Sequence, residues 1–259
     1  MTHAAIYFQP GEPFGEIILN QPDKRNALNS EMWAALPDLI AEAEADPNVK
    51  IVLVHGGEAG AFAAGADISE FETVYGTPES SAAYSRSIAV GLRAVEHCAK
   101  PTIAVINGAC VGGGTSLALA CDIRIASERS KFGVTPGKLG LVYPVDDTRR
   151  LLQTVGPSKT KDILFTGRIF DVEEAKAIGL VDQIAAQEDL MEHARAYGSQ
   201  IASISQWSTR ATKRMIRLAA AGGHEDDAEK LFLEAFEGVD FNEGYRAFLE
   251  KRTPKFPFT

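Results

Sequence analysis

The sequence predicts an α/β fold, a mostly parallel sheet covered by helices and followed by a helical C-terminal region. Three observations carry that expectation. Short β-branched runs alternate with helical patterns through the first half, the sequence form of βα units. From about Val145 onward the pattern is helical, with Gly167, Gly179, Gly198 and the pair Gly222-Gly223 as breaks between candidate helices. A length of 259 residues with 45% hydrophobic content is enough to bury one large core.

Taken in order, strands are expected at residues 5–8, 16–19, 50–55, 102–106 and 122–126. Between them, Met32, Leu36, Leu39 and Ile40, and later Ile88, Leu92 and Val95, recur at the helical period and mark two amphipathic helices that would cover the sheet. Ala228, Leu231, Phe232, Ala235 and Phe236 form another apolar stripe of the same period near the end. The expected division is residues 1–200 as an α/β core and 201–259 as a helical region of the kind used for packing between subunits. There is no internal repeat and no low-complexity tract.

Composition narrows the function classes. A formal net charge of -9 and a pI near 5.1 disfavour a broad nucleic-acid or anionic-membrane surface, because both need clustered Lys and Arg. An anionic ligand would need a local basic site. No run approaches the roughly 18 apolar residues of a membrane span, and the first residues lack a basic stretch followed by an apolar one, so the expected location is cytoplasmic. Cys98, Cys110 and Cys121 show no C-x-x-C spacing and are expected to be reduced packing residues. His3, His55, His97, His193 and His224 are scattered, without a zinc spacing, and no metal site is expected.

Two segments could carry chemistry. The first, Ala61-Phe62-Ala63-Ala64-Gly65-Ala66-Asp67-Ile68, follows the third strand with residues small enough for a ligand to approach the backbone, and Asp67 can cap the helix that follows. The second runs from Gly108 through Gly112-Gly113-Gly114 to Asp122, after an apolar strand and into an apolar helix. A glycine turn at a helix N-terminus offers unpaired N–H groups beside the positive end of the helix dipole, so negative charge is favoured there. Each segment alone could equally serve close packing.

Together and in this order, the two segments resemble those of the crotonase (enoyl-CoA hydratase/isomerase) family, whose oxyanion hole takes one amide from each. The resemblance covers nearly the whole chain. Asn20-Gln21-Pro22-Asp23-Lys24-Arg25-Asn26-Ala27-Leu28-Asn29 is similar to the family's early CoA-contacting turn, and Phe132-Gly133 opens a stretch like its second active-site loop. Thr166-Gly167-Arg168, Ala175 with Ala177-Ile178-Gly179-Leu180-Val181, and Phe248-Leu249-Glu250-Lys251-Arg252 fit its later part. The resemblance implies a crotonase-like β-β-α spiral core with a C-terminal helical trimerisation region, a homotrimer or hexamer, and an acyl-CoA substrate that brings coenzyme A with it and needs no prosthetic group. By position it implies oxyanion amides from Ala66 and Gly113. Lys24, Arg25 and Ala27 would lie on the phosphate and adenine side, Ala64, Asp67 and Ile68 nearer the pantetheine and adenine, and Lys251 would be a further cation.

The pattern also breaks. The family's hydratases carry two glutamates that handle proton and water, and Ser116 and Pro136 stand at those positions here. Neither a lone serine hydroxyl nor a proline can replace them as a general acid–base. Ser116 lacks a G-x-S-x-G elbow and reads as a packing or capping residue. The loop from Phe132 to Pro144 is similar to the T-P-x-x-L-G-x-x-Y stretch of methylmalonyl-CoA decarboxylase, which implies an active-site role for Tyr143, although that family keeps a glutamate at the Ser116 position. Asp146 is a candidate base or nucleophile, whereas Asp147 reads as the N-cap of the helix that follows.

The expected function is therefore an acyl-CoA lyase, decarboxylase-like, working through an enolate held by backbone amides. Thioester hydrolysis and non-catalytic CoA binding are the alternatives.

Overall fold

The fold is that of a computed structural model, and the structure describes residues 4–220, 222 and 225–257. His3, Gly223 and His224 lie outside the described residues.

The chain opens with β1 (Ile6–Gln9) and β2 (Phe14–Leu19), then α1 (Ser30–Ala45), β3 (Ile51–His55) and the long α3 (Pro78–His97), with a short α2 (Phe71–Val74) before it. Strand β4 (Thr102–Ile106) leads to β5 (Ala109–Val111), α4 (Gly113–Ala120), β6 (Ile123–Ser127) and β7 (Lys131–Gly133). Then come α5 (Val145–Thr166), β8 (Ile169–Asp171), α6 (Val172–Ala177), β9 (Gln183–Ala185) and α7 (Leu190–Ala202). Three helices follow: α8 (Gln206–Ala220), α9 (Glu225–Glu237) and α10 (Val239–Glu250).

The strands form two sheets. Six run in the order β1-β2-β3-β4-β6-β9, with β1 antiparallel to β2 and the remaining pairs parallel. The other sheet has the order β5-β7-β8. Because β4 and β6 lie in one sheet and β5 and β7 in the other, the chain winds from layer to layer.

Side-chain alternation along the strands explains the layering. In β3 and β4, Val52, Val54, Ala104 and Ile106 face one core with Met32, Trp33, Leu36 and Leu92 of α1 and α3. Ile51, Leu53, Ile103 and Val105 face a second core with Leu190 and Ala194 of α7. The central strands are thus buried on both faces, which is why they read as unbroken apolar runs.

The five expected strands and both early helices are present, each within two residues of its expected bounds where bounds were expected. The expected helical second half differs in two ways. It contains β8 and β9, three residues each, too short for periodicity to register. Gly198 is no break either: it lies inside α7, where an added Cβ would meet the Phe14 ring at 2.6 Å, so it is there for close helix–sheet packing. Gly167, by contrast, ends α5 in the left-handed conformation expected of a C-terminal glycine.

Candidate active site

The two glycine- and alanine-rich segments lie side by side. Ala63 donates its N–H to Ala109 O at 2.9 Å and accepts from Val111 N at 3.0 Å, a fragment of parallel ladder that joins the first segment to the edge of β5. Gly112 then turns the chain into α4 with φ 53° and ψ -114°, a conformation open to glycine. A Cβ on Gly114 would stand 2.4 Å from Ala63 O, so the approach of α4 to this segment requires glycine there. Gly113 is the first residue of α4, where the N–H has no intrahelical acceptor. Among the described residues, no backbone carbonyl accepts from the N–H of Ala66 or of Gly113.

The early turn packs against the same segment. Ala64 N donates to Arg25 O at 3.1 Å, Leu28 N to Gly65 O at 2.7 Å and Asp67 N to Leu28 O at 2.9 Å. Arg25 and Asn26 are consecutive left-handed residues, with φ 52° and 54°. Asn26 holds them there: its buried side chain donates to Gly56 O and Ala61 O, both at 2.9 Å, and accepts from Gln21 N. Sequence reading named Asn26 only as part of a motif and missed this role, since nothing local in the sequence shows a side chain bonded across 35 residues.

Lys24 Nζ pairs with Asp67 Oδ2 at 2.6 Å. Asp67 also caps the 3-10 turn Ile68–Glu70, accepting from Ser69 N, as its sequence position suggested. Burial works against the Asp67 charge, but Lys24 and Ser69 outweigh it and hold the carboxyl below its usual range. Arg25 is exposed, Ala27 and Ala64 are half-buried, and Ile68 is 69% exposed beside them. Thus Lys24, Arg25, Ala27, Ala64, Asp67 and Ile68 are brought together. Lys251 is not: it ends α10 in a left-handed conformation, and no described contact joins it to this cluster.

Tyr143 is buried, and its hydroxyl lies 2.7 Å from Ser116 Oγ, one turn along α4 from Gly113. Burial pushes the phenol far above its usual pKa, with the Asp147 charge adding to the effect. Asp146 points to the rim of this region, where Arg93 and Arg149 pair with it at 3.3 and 2.9 Å. Partial burial opposes its charge, yet the two arginines hold its pKa below the usual range. Asp147 is not the N-cap of α5, contrary to the sequence reading. Pro144 occupies that position, and the Asp147 side chain is buried inside the first turn against Arg150 at 2.8 Å.

A cleft of about 570 Å³ elsewhere, lined by Trp207, Val239, Phe241, Tyr245, Phe248 and others, is apolar and contains none of these groups. Chemistry, not cavity size, selects the site. Among the described residues no group of His, Cys, Asp or Glu is placed to hold a metal ion, and no helix is long and apolar enough to cross a membrane.

A family model described as enoyl-CoA hydratase/isomerase matches residues 12–258. The chain belongs to the enoyl-CoA hydratase/isomerase family. It is similar to the crystal structure of a Hyphomonas neptunium protein described as a putative enoyl-CoA hydratase/isomerase family protein, at 57% identity over 98% of both chains and a TM-score of 0.96. It is also similar to the enoyl-CoA hydratase of Bacillus anthracis, at 31% identity over 98% of this chain and 100% of the other, with a TM-score of 0.89. A crotonyl-CoA hydratase of Syntrophomonas wolfei is 33% identical over 99% of both chains. The layered two-sheet architecture is accordingly the crotonase fold, with its helical C-terminal region present.

The loop around Pro136 presents no acid in its turn. Pro136 begins a 3-10 turn, Pro136–Leu139, which Gly140 closes with φ 71°. A backbone turn without an acid occupies the place where a second carboxylate was sought. A buried carboxyl in the first turn of α5 belongs to Asp147, which is paired with Arg150 at 2.8 Å.

Proposed function

We propose that the protein is an acyl-CoA lyase whose N–H groups of Ala66 and Gly113 hold the thioester oxygen as it gains charge. The observation that carries this reading is the pairing of the two segments through Ala63, Ala109 and Val111, which sets two unengaged amides beside a helix N-terminus. The cluster of Lys24, Arg25, Ala27, Ala64, Asp67 and Ile68 would take the coenzyme A moiety, with Arg25 and Lys24 near the phosphates. Lys251 would reach a phosphate only through an arrangement of chains beyond one protomer.

Decarboxylation of a malonyl-type thioester suits these groups best. Loss of CO2 leaves an enolate that the amides stabilise directly, with no base needed beforehand. Tyr143, its proton firmly held, would orient the departing carboxylate or return a proton to carbon. Hydrolysis would need Asp146 or Asp147 as a base. Asp146 is already paired with two arginines, which counts against it. Hydration is the second reading, favoured by the name of the Syntrophomonas wolfei relative.

We propose further that residues 201–259 form an assembly region. Phe232, Phe236, Phe248 and Leu249 of α9 and α10 are 48 to 82% exposed, and large exposed apolar patches mark interaction surfaces. A trimer or hexamer would cover it.

The test of the reaction is to incubate the protein with methylmalonyl-CoA, crotonyl-CoA and saturated acyl-CoAs and follow products by mass spectrometry. Loss of CO2 from methylmalonyl-CoA is expected. Hydration of crotonyl-CoA without decarboxylation would replace this reading with the second, and release of free CoA would replace it with hydrolysis.

A further inference from the structure

The proposed active site leaves one cationic cluster unused. Helix α8 carries Arg210, Lys213, Arg214 and Arg217, spaced i, i+3, i+4 and i+7, so the four stand on one face. With Trp207, Cys98 and Ala99 they line a cavity of about 230 Å³, and no Asp or Glu is among its described lining residues.

Like charges at this spacing repel one another, and nearby carboxylates would ordinarily offset that. Here the offset is partial. Lys213 Nζ pairs with Asp122 Oδ2 at 2.6 Å. Among the described residues no ion pair joins Arg210, Arg214 or Arg217 to a carboxylate. Arg210 Nε and Arg217 Nη1 are moreover closed off from solvent without a hydrogen-bond partner. A guanidinium cannot lose its proton to escape that position, and a buried charged donor left without an acceptor carries its full desolvation cost.

The other charged groups about the cavity do not supply the acceptor. Glu44 is engaged by the Ala99 N–H, and Asp122 accepts from the Thr102 N–H and hydroxyl as well as from Lys213. Lys100, beside Ala99, is buried and adds a further cation, its Nζ donating to Ala43 O and Asp46 O at 2.7 and 2.6 Å. The cavity is also separate from the candidate active site. Cys98 follows α3, Ala99 precedes β4 and Asp122 precedes β6, so the cluster sits at the N-terminal ends of these parallel strands. The two oxyanion segments follow the C-terminal ends of β3 and β4.

We infer that this cavity is a second ligand site, which takes a phosphate group, either free or as the monoester of a small molecule. A guanidinium fork matches two oxygens of a tetrahedral oxyanion, and a dianion meets the surplus of positive charge. A volume of about 230 Å³ is below that of pockets for drug-sized ligands, so the carrier, if there is one, is small. The bound group accepts from Arg210 Nε and Arg217 Nη1 and relieves the repulsion along α8. It therefore stabilises the folded chain.

Trp207 in the lining provides the readout, because the other tryptophan, Trp33, is buried in the core. Inorganic phosphate and methyl phosphate are titrated at constant ionic strength, with tryptophan fluorescence and melting temperature followed together. A saturable response is expected for at least one of them, with a raised melting temperature, and the tighter of the two tells whether the group arrives free or on a carrier. Arg210→Gln combined with Arg217→Gln should weaken that binding on the order of 10²-fold. The milder Arg217→Lys, which keeps the charge and loses the fork, should weaken it several-fold. Lys24→Gln combined with Arg25→Gln, in the proposed coenzyme A cluster, should leave it unchanged. Absence of a saturable response in the unaltered protein overturns the inference, as does its full retention in both arginine variants. Loss of the response in the Lys24 and Arg25 variant instead would move the phosphate to the coenzyme A cluster and equally overturn it. None of these outcomes depends on which reaction the enzyme performs.

Discussion

Tyr143 and Asp147 show how far single residues could be read. The tyrosine was legible because the loop motif around it carries a resemblance, and the structure adds a partner, Ser116, that converts a supposed packing residue into a contact of the hydroxyl. Asp147 was misread as a cap because an acid two or three residues into a helix start looks alike whether it points back to the backbone or into the core. Its burial decides the matter, and burial is a property of the whole fold. Replacement of Tyr143 by Phe removes one oxygen and keeps the ring in the core. Turnover of the favoured thioester should fall by about 10² or more while the melting temperature changes little, as steady-state kinetics and thermal denaturation would show. Unchanged turnover would remove the hydroxyl from the mechanism.

At the scale of elements, long apolar or amphipathic segments were legible and three-residue strands were not. Strands β3 and β4 are buried on both faces, and α1 and α3 show one apolar stripe each, so local pattern and final environment agree. Strands β5, β7, β8 and β9 exist through pairing with distant partners, such as Phe132 with Phe170, which no local pattern announces. The stripe on α9 was also legible, but its environment was not. Leu231 is buried, while Phe232 and Phe236 remain exposed in the single chain. If another copy covers them, the mass in solution should be that of a trimer or a multiple of it, and Phe232→Glu with Phe236→Glu should shift it downward, as light scattering would show. A monomeric mass for the unaltered protein would contradict the assembly proposal.

At the scale of the molecule, two sheets and the winding between them bring together residues from α1's approach, the β3–α2 connection, α4 and α5. The acidic balance of the chain, -9, leaves room for a few placed cations such as Lys24 and Arg25 without making the surface basic. The fold and family were legible because the motif order spans the chain. The chemistry was less so, because it depends on which acids the packing turns inward. The proposed site turns on the pair of backbone amides, and substitutions at Gly113 test them most directly. Proline is tolerated at a helix's first position and removes the N–H, whereas alanine keeps the N–H and adds a Cβ 3.1 Å from the Trp33 ring. Compared by kcat on the best thioester substrate, Gly113→Pro should lose on the order of 10²–10³ relative to Gly113→Ala, with both variants folded. Equal rates in the two variants would mean that this amide does not hold the developing charge, and the account of the site would fail.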